Sequence, residues 1–590
     1  MTFKLENLLQ RPVKWFGIST WRFTLLIIGL LFSILVHYSA GENELMQSPF
    51  IAWMAWIASF LFIVAAGWQR GSFDLKAHRK TLLTCLGLIM LAYLVRGFKP
   101  GDYPLDFYGS EASAGIMGQD ILAGKFNNPF TMGWASFPGL YFFIPAGSIA
   151  IFGSTLAALR IPSIVAGSLA VGATYLTGHA MYGKRVGLLT AMLLIGFPIH
   201  INFSRIGLSN VWDGMFYIAV IGAVWYAWER ENQNAFLLAG IGLGISQYFY
   251  VTSHTLLILI PAWLILVSLR DRERFKRLLP GIMLMLLVAL VVVLPLAWYY
   301  IRYPSQFLAP VVRVNAYDEL FDPTLRSDSL LFWKTILGKI WLGAQSFTYT
   351  SITNEWFPSG TPFLGTPLAQ LFLIGLVFLV FNLHESRNML FGMCLIIFIF
   401  IGGFSYNPPP PQRYVAVIPI CLMVTAFGIN KLATILERIW PKKIPIFSTL
   451  VLLLCVVLSL QNAYYYYFEY IPMSTYYVAE SNDTVAQHLG EFLLKQPDDT
   501  QVVFFGLPRM GYYSIPSPQY LVPKIVGLDM LEPWGSQRNP KPDSDHLVFV
   551  FLPEYAAEFP LVQADFPGGK LSQETTYGNK ILYYYYLYEK

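Results

Sequence analysis

Three carboxylates stand close together in the first quarter of the chain. Asp106 and Glu111 lie in the stretch LDFYGSEASAGIMGQDIL, and Asp102 just before it. Two arginines, Arg205 in PIHINFSRIGLSNVWDGM and Arg413 in YNPPPPQRYVAVIPI, sit at the ends of long apolar runs. A carboxylate can take a proton from a hydroxyl, and a guanidinium pairs with phosphate oxygens. Together they suit a reaction on a lipid phosphate. Tyr248, Tyr250 and His254 in QYFYVTSHT, with Asp213, are candidates for substrate contact. Each group also has a plainer reading. Ser110 and Glu111 suit an ordinary helix start, as Asn210 and Asp213 do. An arginine at a span end snorkels, and a lone histidine is commonly structural. Asp120 falls on the opposite side of a helix from Glu111, so those two make no acid pair.

The elements that must carry these residues are membrane spans. Of the 590 residues 55% are hydrophobic, 16% aromatic and only 13% charged, against about 25% charged in soluble domains. A net charge of +5 is small for the length and gives no reason to expect nucleic acid as a partner. Cys85, Cys394, Cys421 and Cys455 all lie in apolar runs, without metal-ligand spacing and without the pattern of a disulfide framework. About thirteen runs are long enough to cross a bilayer. They begin with Trp21 to Ala40, which is too long for a signal-peptide core and reads as a retained first span.

Lysines and arginines cluster in alternate connections: Lys4, Arg11 and Lys14; Arg70 to Lys80; Lys184 and Arg185; Arg230; Arg270 to Arg277; Arg387; and Lys431 to Lys443. The positive-inside rule then puts the N-terminus inside. Phe137 to Phe152, short and broken by Pro138 and Pro145, reads as a re-entrant or interfacial helix, because counting it as a span would turn the 270–277 cluster outward. Three polar regions then face out: an outer loop at 99–156, another at 301–366, and the tail. The expected fold is an all-α polytopic membrane module over 1–462, followed by a small α/β extracytoplasmic domain over 463–590. QVVFFGLP, HLVFVFLP and KILYYYYLYEK read as strands of that domain, and EYAAEFPLVQADF as a helix. The Tyr464 to Tyr467 run reads as an aromatic interface belt.

EASAGIMGQDILAG, the long stretch from STLAALRIPSIVAG to PIHINFSRIG, GLGISQYFY and PQRYVAVIP together resemble the GT-C glycosyltransferases, in particular the dolichyl-phosphate-mannose protein mannosyltransferase-like and aminoarabinose transferase-like bacterial enzymes. The resemblance is strong from about residue 88 to 255 and weaker beyond. It implies inverting transfer of a sugar from a polyprenyl-phosphate donor to an acceptor on the outer face of the plasma (inner) membrane. Glu111 matches the second member of the family's Asp-Glu pair, Arg205 the second-loop arginine, and Arg413 the arginine of the RY motif. These matches imply a first-loop carboxylate as base and donor phosphate held by Arg205, Arg413 and, less directly, His254.

The family's usual aspartate falls on Ser110, which cannot accept the proton as a carboxylate would. Glu111, Asp106 or Asp102 could take its place, or the chain could be an inactive or repurposed relative that binds glycolipid. A transporter is a third reading, for which ionisable residues deep within spans would be expected; the span centres carry few. No cofactor is expected. Some relatives bind a divalent metal, but no ligand cluster is visible here. The acceptor, whether protein, lipid or polysaccharide, is not specified.

Overall fold

The computed structural model describes residues 19–69, 75–313, 323–440, 446–478, 481–576 and 579–590. The basic residues Lys4, Arg11, Lys14, Arg70, Lys442 and Lys443, and part of the second outer loop, lie outside them.

All thirteen apolar runs are helical. Among the described residues, ten helices are long and apolar enough to cross a membrane. The remaining runs are shorter for visible reasons. Lys184–Gly196 stops where Phe197 is extended ahead of Pro198, and Pro198–Phe203 follows as a separate turn. Gln233–Ser246 ends at Gln247, whose amide donates to the carbonyls of Leu243 and Ser253 and so folds the chain back. Thr366–Phe381 has 16 residues. The proline-broken run contains a 3-10 turn, Gly139–Phe142, and a ten-residue helix, Phe143–Phe152, only about 15 Å long and half a bilayer core.

Small residues let the helices approach. Gly167 in Leu156–Tyr182 faces Ser204, and Gly222 in Asn210–Arg230 faces Thr177, leaving no room for a Cβ at either position. The basic clusters gather at one end of the bundle. Arg274 donates to the carbonyls of Trp228 and Glu229, Arg277 to Glu231, and Arg387 to that of Met181.

The helix Ile446–Tyr464 does not stop at Asn462. It runs on through a π-helical turn, Tyr465–Tyr470, into Ile471–Val478. Only Tyr464 of the tyrosine run is strongly exposed. Tyr466 and Tyr467 turn inward to Asn202 Oδ1 and the Val95 carbonyl, so the run is not simply an interface belt.

The tail forms a five-stranded sheet of order β2-β1-β3-β5-β4. Its strands are β1 (Gln501–Phe505), β2 (Val526–Asp529), β3 (His546–Phe551), β4 (Lys570–Thr575) and β5 (Ile581–Glu589). β2, β1 and β3 are parallel, whereas β5 and β4 are antiparallel. Alternation splits the side chains between two cores. Val502, Phe504, Val548 and Val550 pack under the helix Asn482–Leu493, and Val503, Phe505, Phe549 and Phe551 pack on the other face. The predicted helix EYAAEFPLVQADF is a 3-10 turn, Pro553–Glu558, followed by Phe559–Asp565.

Candidate functional site

The helix Gly109–Leu122 follows the third long helix and lies between the bundle and the sheet domain. It begins one residue before the expected cap: Tyr108 is the N-cap residue, without a side-chain cap bond, and Ser110 lies in the first turn. That turn places Ser110 on the wall of a cavity of about 230 Å³. The same cavity is lined by Asn210 from the first turn of Asn210–Arg230, Tyr250 from the connection after Gln233–Ser246, Gln412 and Arg413 from the short helix Pro411–Tyr414, and Trp356 from the 346–365 connection. Arg313, at the C-cap of Pro304–Val312, is exposed and also lines the cavity.

Arg413 is buried. Its guanidinium donates to Ser405 Oγ and lies within hydrogen-bonding reach of the Tyr250 phenol, which also reaches Asn210. Arg413 and Tyr250, nominated from distant parts of the sequence, are thus brought together on one wall.

Glu111 has no exposed surface. Arg160 clasps it, Nε to Oε1 at 3.0 Å and Nη2 to Oε2 at 3.3 Å, while the Gly207 amide donates to Oε1 at 2.7 Å. Arg160 also donates to the carbonyls of Pro104 and Asp106, at 2.8 Å each. Arg205 is equally enclosed. It donates to the carbonyls of Arg96, Phe98, Lys99 and Tyr103 and to the Tyr467 hydroxyl, with its charge 5.5 Å from the Tyr467 ring centroid. Both residues named for catalysis or phosphate binding are therefore engaged by protein groups that shape the 96–111 segment.

Asp106 is different. It is largely buried, and among the described residues no hydrogen bond ends on its carboxyl. Burial first, then the charge of Asp483, pushes its pKa up to about 7, with Arg160 opposing. It adjoins Tyr108, whose ring stacks on the cavity-wall Trp356 at 5.0 Å between centroids. Asp102 is exposed in a 3.6 Å ion pair with Lys99.

The remaining candidates are internal. Asp213 is fully buried and accepts from the Ser253 amide and from the hydroxyls of Thr252 and Ser253, which fixes the turn after Tyr250. Tyr248 donates to the Val292 carbonyl at 3.0 Å. His254 contacts Gln247 through Nδ1 and stacks flat on Phe307 at 4.7 Å. None of these three lines the cavity. Among the described residues no set of three His, Cys, Asp or Glu converges as metal ligands.

Sequence reasoning missed Arg160, Asn210, Arg313 and Asp483 as members of the site or its support. Arg160 stood inside a quoted motif, but its partner Glu111 is 49 residues away. The sequence carried no local sign of that pairing.

The profile of the dolichyl-phosphate-mannose-protein mannosyltransferase family matches residues 136–299. A curated undecaprenyl phosphate-alpha-4-amino-4-deoxy-L-arabinose arabinosyl transferase from Pseudomonas aeruginosa is 31% identical over 184 residues. The match covers 30% of this chain, and the chain spans only 33% of that relative's length. Among solved structures, ArnT from Cupriavidus metallidurans bound to undecaprenyl phosphate superposes with a TM-score of 0.53 at 10% identity. That superposition covers 86% of this chain and 98% of ArnT. Its apo form gives the same score at 11% identity, covering 87% and 98%. Over residues 136–299 the chain is thus similar to that mannosyltransferase family, and it shares the fold of ArnT.

Proposed function

We propose that this protein transfers a sugar from a polyprenyl-phosphate donor to an acceptor hydroxyl, with inversion, on the extracytoplasmic side of the plasma membrane. The observation that carries this reading is the cavity in which buried Arg413, Tyr250 and Asn210 face the Ser110 end of the first-loop helix, with Arg313 at its edge. A guanidinium held there can pair with the donor phosphate and stabilise the charge that develops as the sugar–phosphate bond breaks. The acceptor oxygen attacks the anomeric carbon from the opposite face and loses its proton to a base. Asp106 is our candidate base: it stands beside Tyr108 behind the lining of the cavity, no hydrogen bond ends on its carboxyl among the described residues, and burial raises its pKa to about 7. Glu111 and Arg205 act as positioning residues. The gathering of basic clusters at the end of the bundle away from the sheet domain supports an outer location for the site.

A second reading, a relative that binds glycolipid without transfer, is favoured by Ser110, because the cavity wall carries a hydroxyl where the family has a carboxylate. Mass spectrometry of products from the purified full chain, with a panel of polyprenyl-phosphate sugars, separates the two. Turnover by wild type that is lost in Asp106→Asn supports transfer. Donor binding without turnover favours the second reading.

A further inference from the structure

The N-terminus of the Gly109–Leu122 helix has no side-chain cap of its own, yet its first amide and one in the stretch of chain leading into it are satisfied. The Gly109 amide donates to Asp483 Oδ1 at 2.7 Å, and the Phe107 amide donates to Gln487 Oε1 at 2.8 Å. Both acceptors lie on Asn482–Leu493, the first helix of the sheet domain. A Cβ at position 109 would stand 3.2 Å from Asp483 Oδ1, so glycine permits the close approach. Further along, Tyr520 seats its ring against Gly115, where a Cβ would come within 2.5 Å. Its carbonyl accepts from Gln119 Nε2, and its hydroxyl donates to the Thr155 carbonyl.

We propose that Asp483 is a positioning residue for the site, holding the first turn of the Gly109–Leu122 helix against the cavity and fixing the charge environment of Asp106. The second half of this proposal rests on the transferase reading given above, and the first half does not. A carboxylate at a helix N-terminus satisfies orphan amides and complements the helix dipole, and here it comes from another domain. The charged and titratable groups around Asp106 are Asp483 on the sheet-domain helix, Arg160 on Leu156–Tyr182, Tyr108 beside it and Tyr470 on the π-helical turn. Glu111 shares Arg160 with it. Of these, Asp483 brings a second negative charge, with no ion-pair partner among the described residues.

Two full-length variants separate the cap from the charge. Asp483→Asn keeps an oxygen for the Gly109 amide and removes the charge, whereas Asp483→Ala removes both. Hydrogen–deuterium exchange of the 105–116 segment should rise in Asp483→Ala and stay at the wild-type level in Asp483→Asn. With active donor, Asp483→Ala should lose about tenfold in kcat at unchanged donor KM, as expected of a misplaced reacting group. Asp483→Asn should move the acid limb of the pH–rate profile to lower pH. Unchanged exchange in Asp483→Ala overturns the positioning role, and an unmoved acid limb in Asp483→Asn overturns the electrostatic one. If wild type shows no turnover, the transferase reading fails, and the exchange comparison still decides whether Asp483 holds the helix.

Discussion

Arg160 and Glu111 form a fully buried two-point ion pair, 3.0 Å at its shorter contact. Removing one partner leaves the other charge without solvent or counterion, a loss of about 3–5 kcal/mol in comparable pairs. Arg160→Met should therefore lower the unfolding temperature strongly. The double variant Arg160→Met, Glu111→Gln should recover part of that loss, because no ion is left buried. Thermal unfolding of wild type, both single variants and the double variant in one detergent measures the coupling. Additive effects would show that the pair is not energetically linked.

Asp106 gives a pH dependence of defined sign. Its pKa, raised from 3.8 to about 7, means the folded chain holds a proton that the unfolded chain releases earlier. The resulting stabilisation is complete below about 4 and is lost as pH rises through about 7. Asp106→Asn should remove this dependence and raise the unfolding temperature at pH 8 more than at pH 5. Activity should run the other way in wild type, rising with pH through neutrality as the base loses its proton. Unfolding curves and initial rates across pH 5 to 9 check both.

Arg413→Lys should weaken donor binding by about 10–100-fold, because an ammonium cannot reproduce a planar fork held between Ser405 and Tyr250. Arg313→Ala should cost less and show the greater salt dependence, since Arg313 is exposed. Quenching of Trp134 and Trp356, both at the cavity, by added polyprenyl phosphate follows both variants. Equal losses would place the phosphate elsewhere.

Arg205→Lys should leave several buried carbonyls of the 96–103 segment without donors, at a cost of at least about 2 kcal/mol. Limited proteolysis should then cut near residues 97–103 faster than in wild type. Donor affinity measured at a temperature where the variant remains folded should change far less than in Arg413→Lys. A comparable loss of affinity would restore Arg205 to the phosphate.

The spans were legible because twenty apolar residues in sequence leave a chain few alternatives. The strands β1, β3 and β5 were legible because they are dense in Val, Phe and Tyr. β2 and β4 were not singled out, since VGLD and KLSQET are short and mixed, and become strands only by pairing with β1 and β5. Glu111 and Arg205 drew attention as charged groups beside spans, and the structure buries both in contacts with distant protein groups. What each charge faces is a long-range matter. Arg205 meets four carbonyls, and a carbonyl's availability cannot be read from residue identity. The missing cap of the first-loop helix was equally hidden, because a local serine looked sufficient while the actual acceptor lies 374 residues away.

That separation has a consequence for how the protein is made. Phe107, Gly109 and Gln119 emerge first from the ribosome, whereas Asp483, Gln487 and Tyr520 emerge 374 to 401 residues later. At about 5–20 residues per second, the early segment waits on the order of 20–75 s for its partners. A chain released before residue 483 would sit in the bilayer with its helices in place and its cavity wall unfastened, so the site is complete only once the sheet domain has been made.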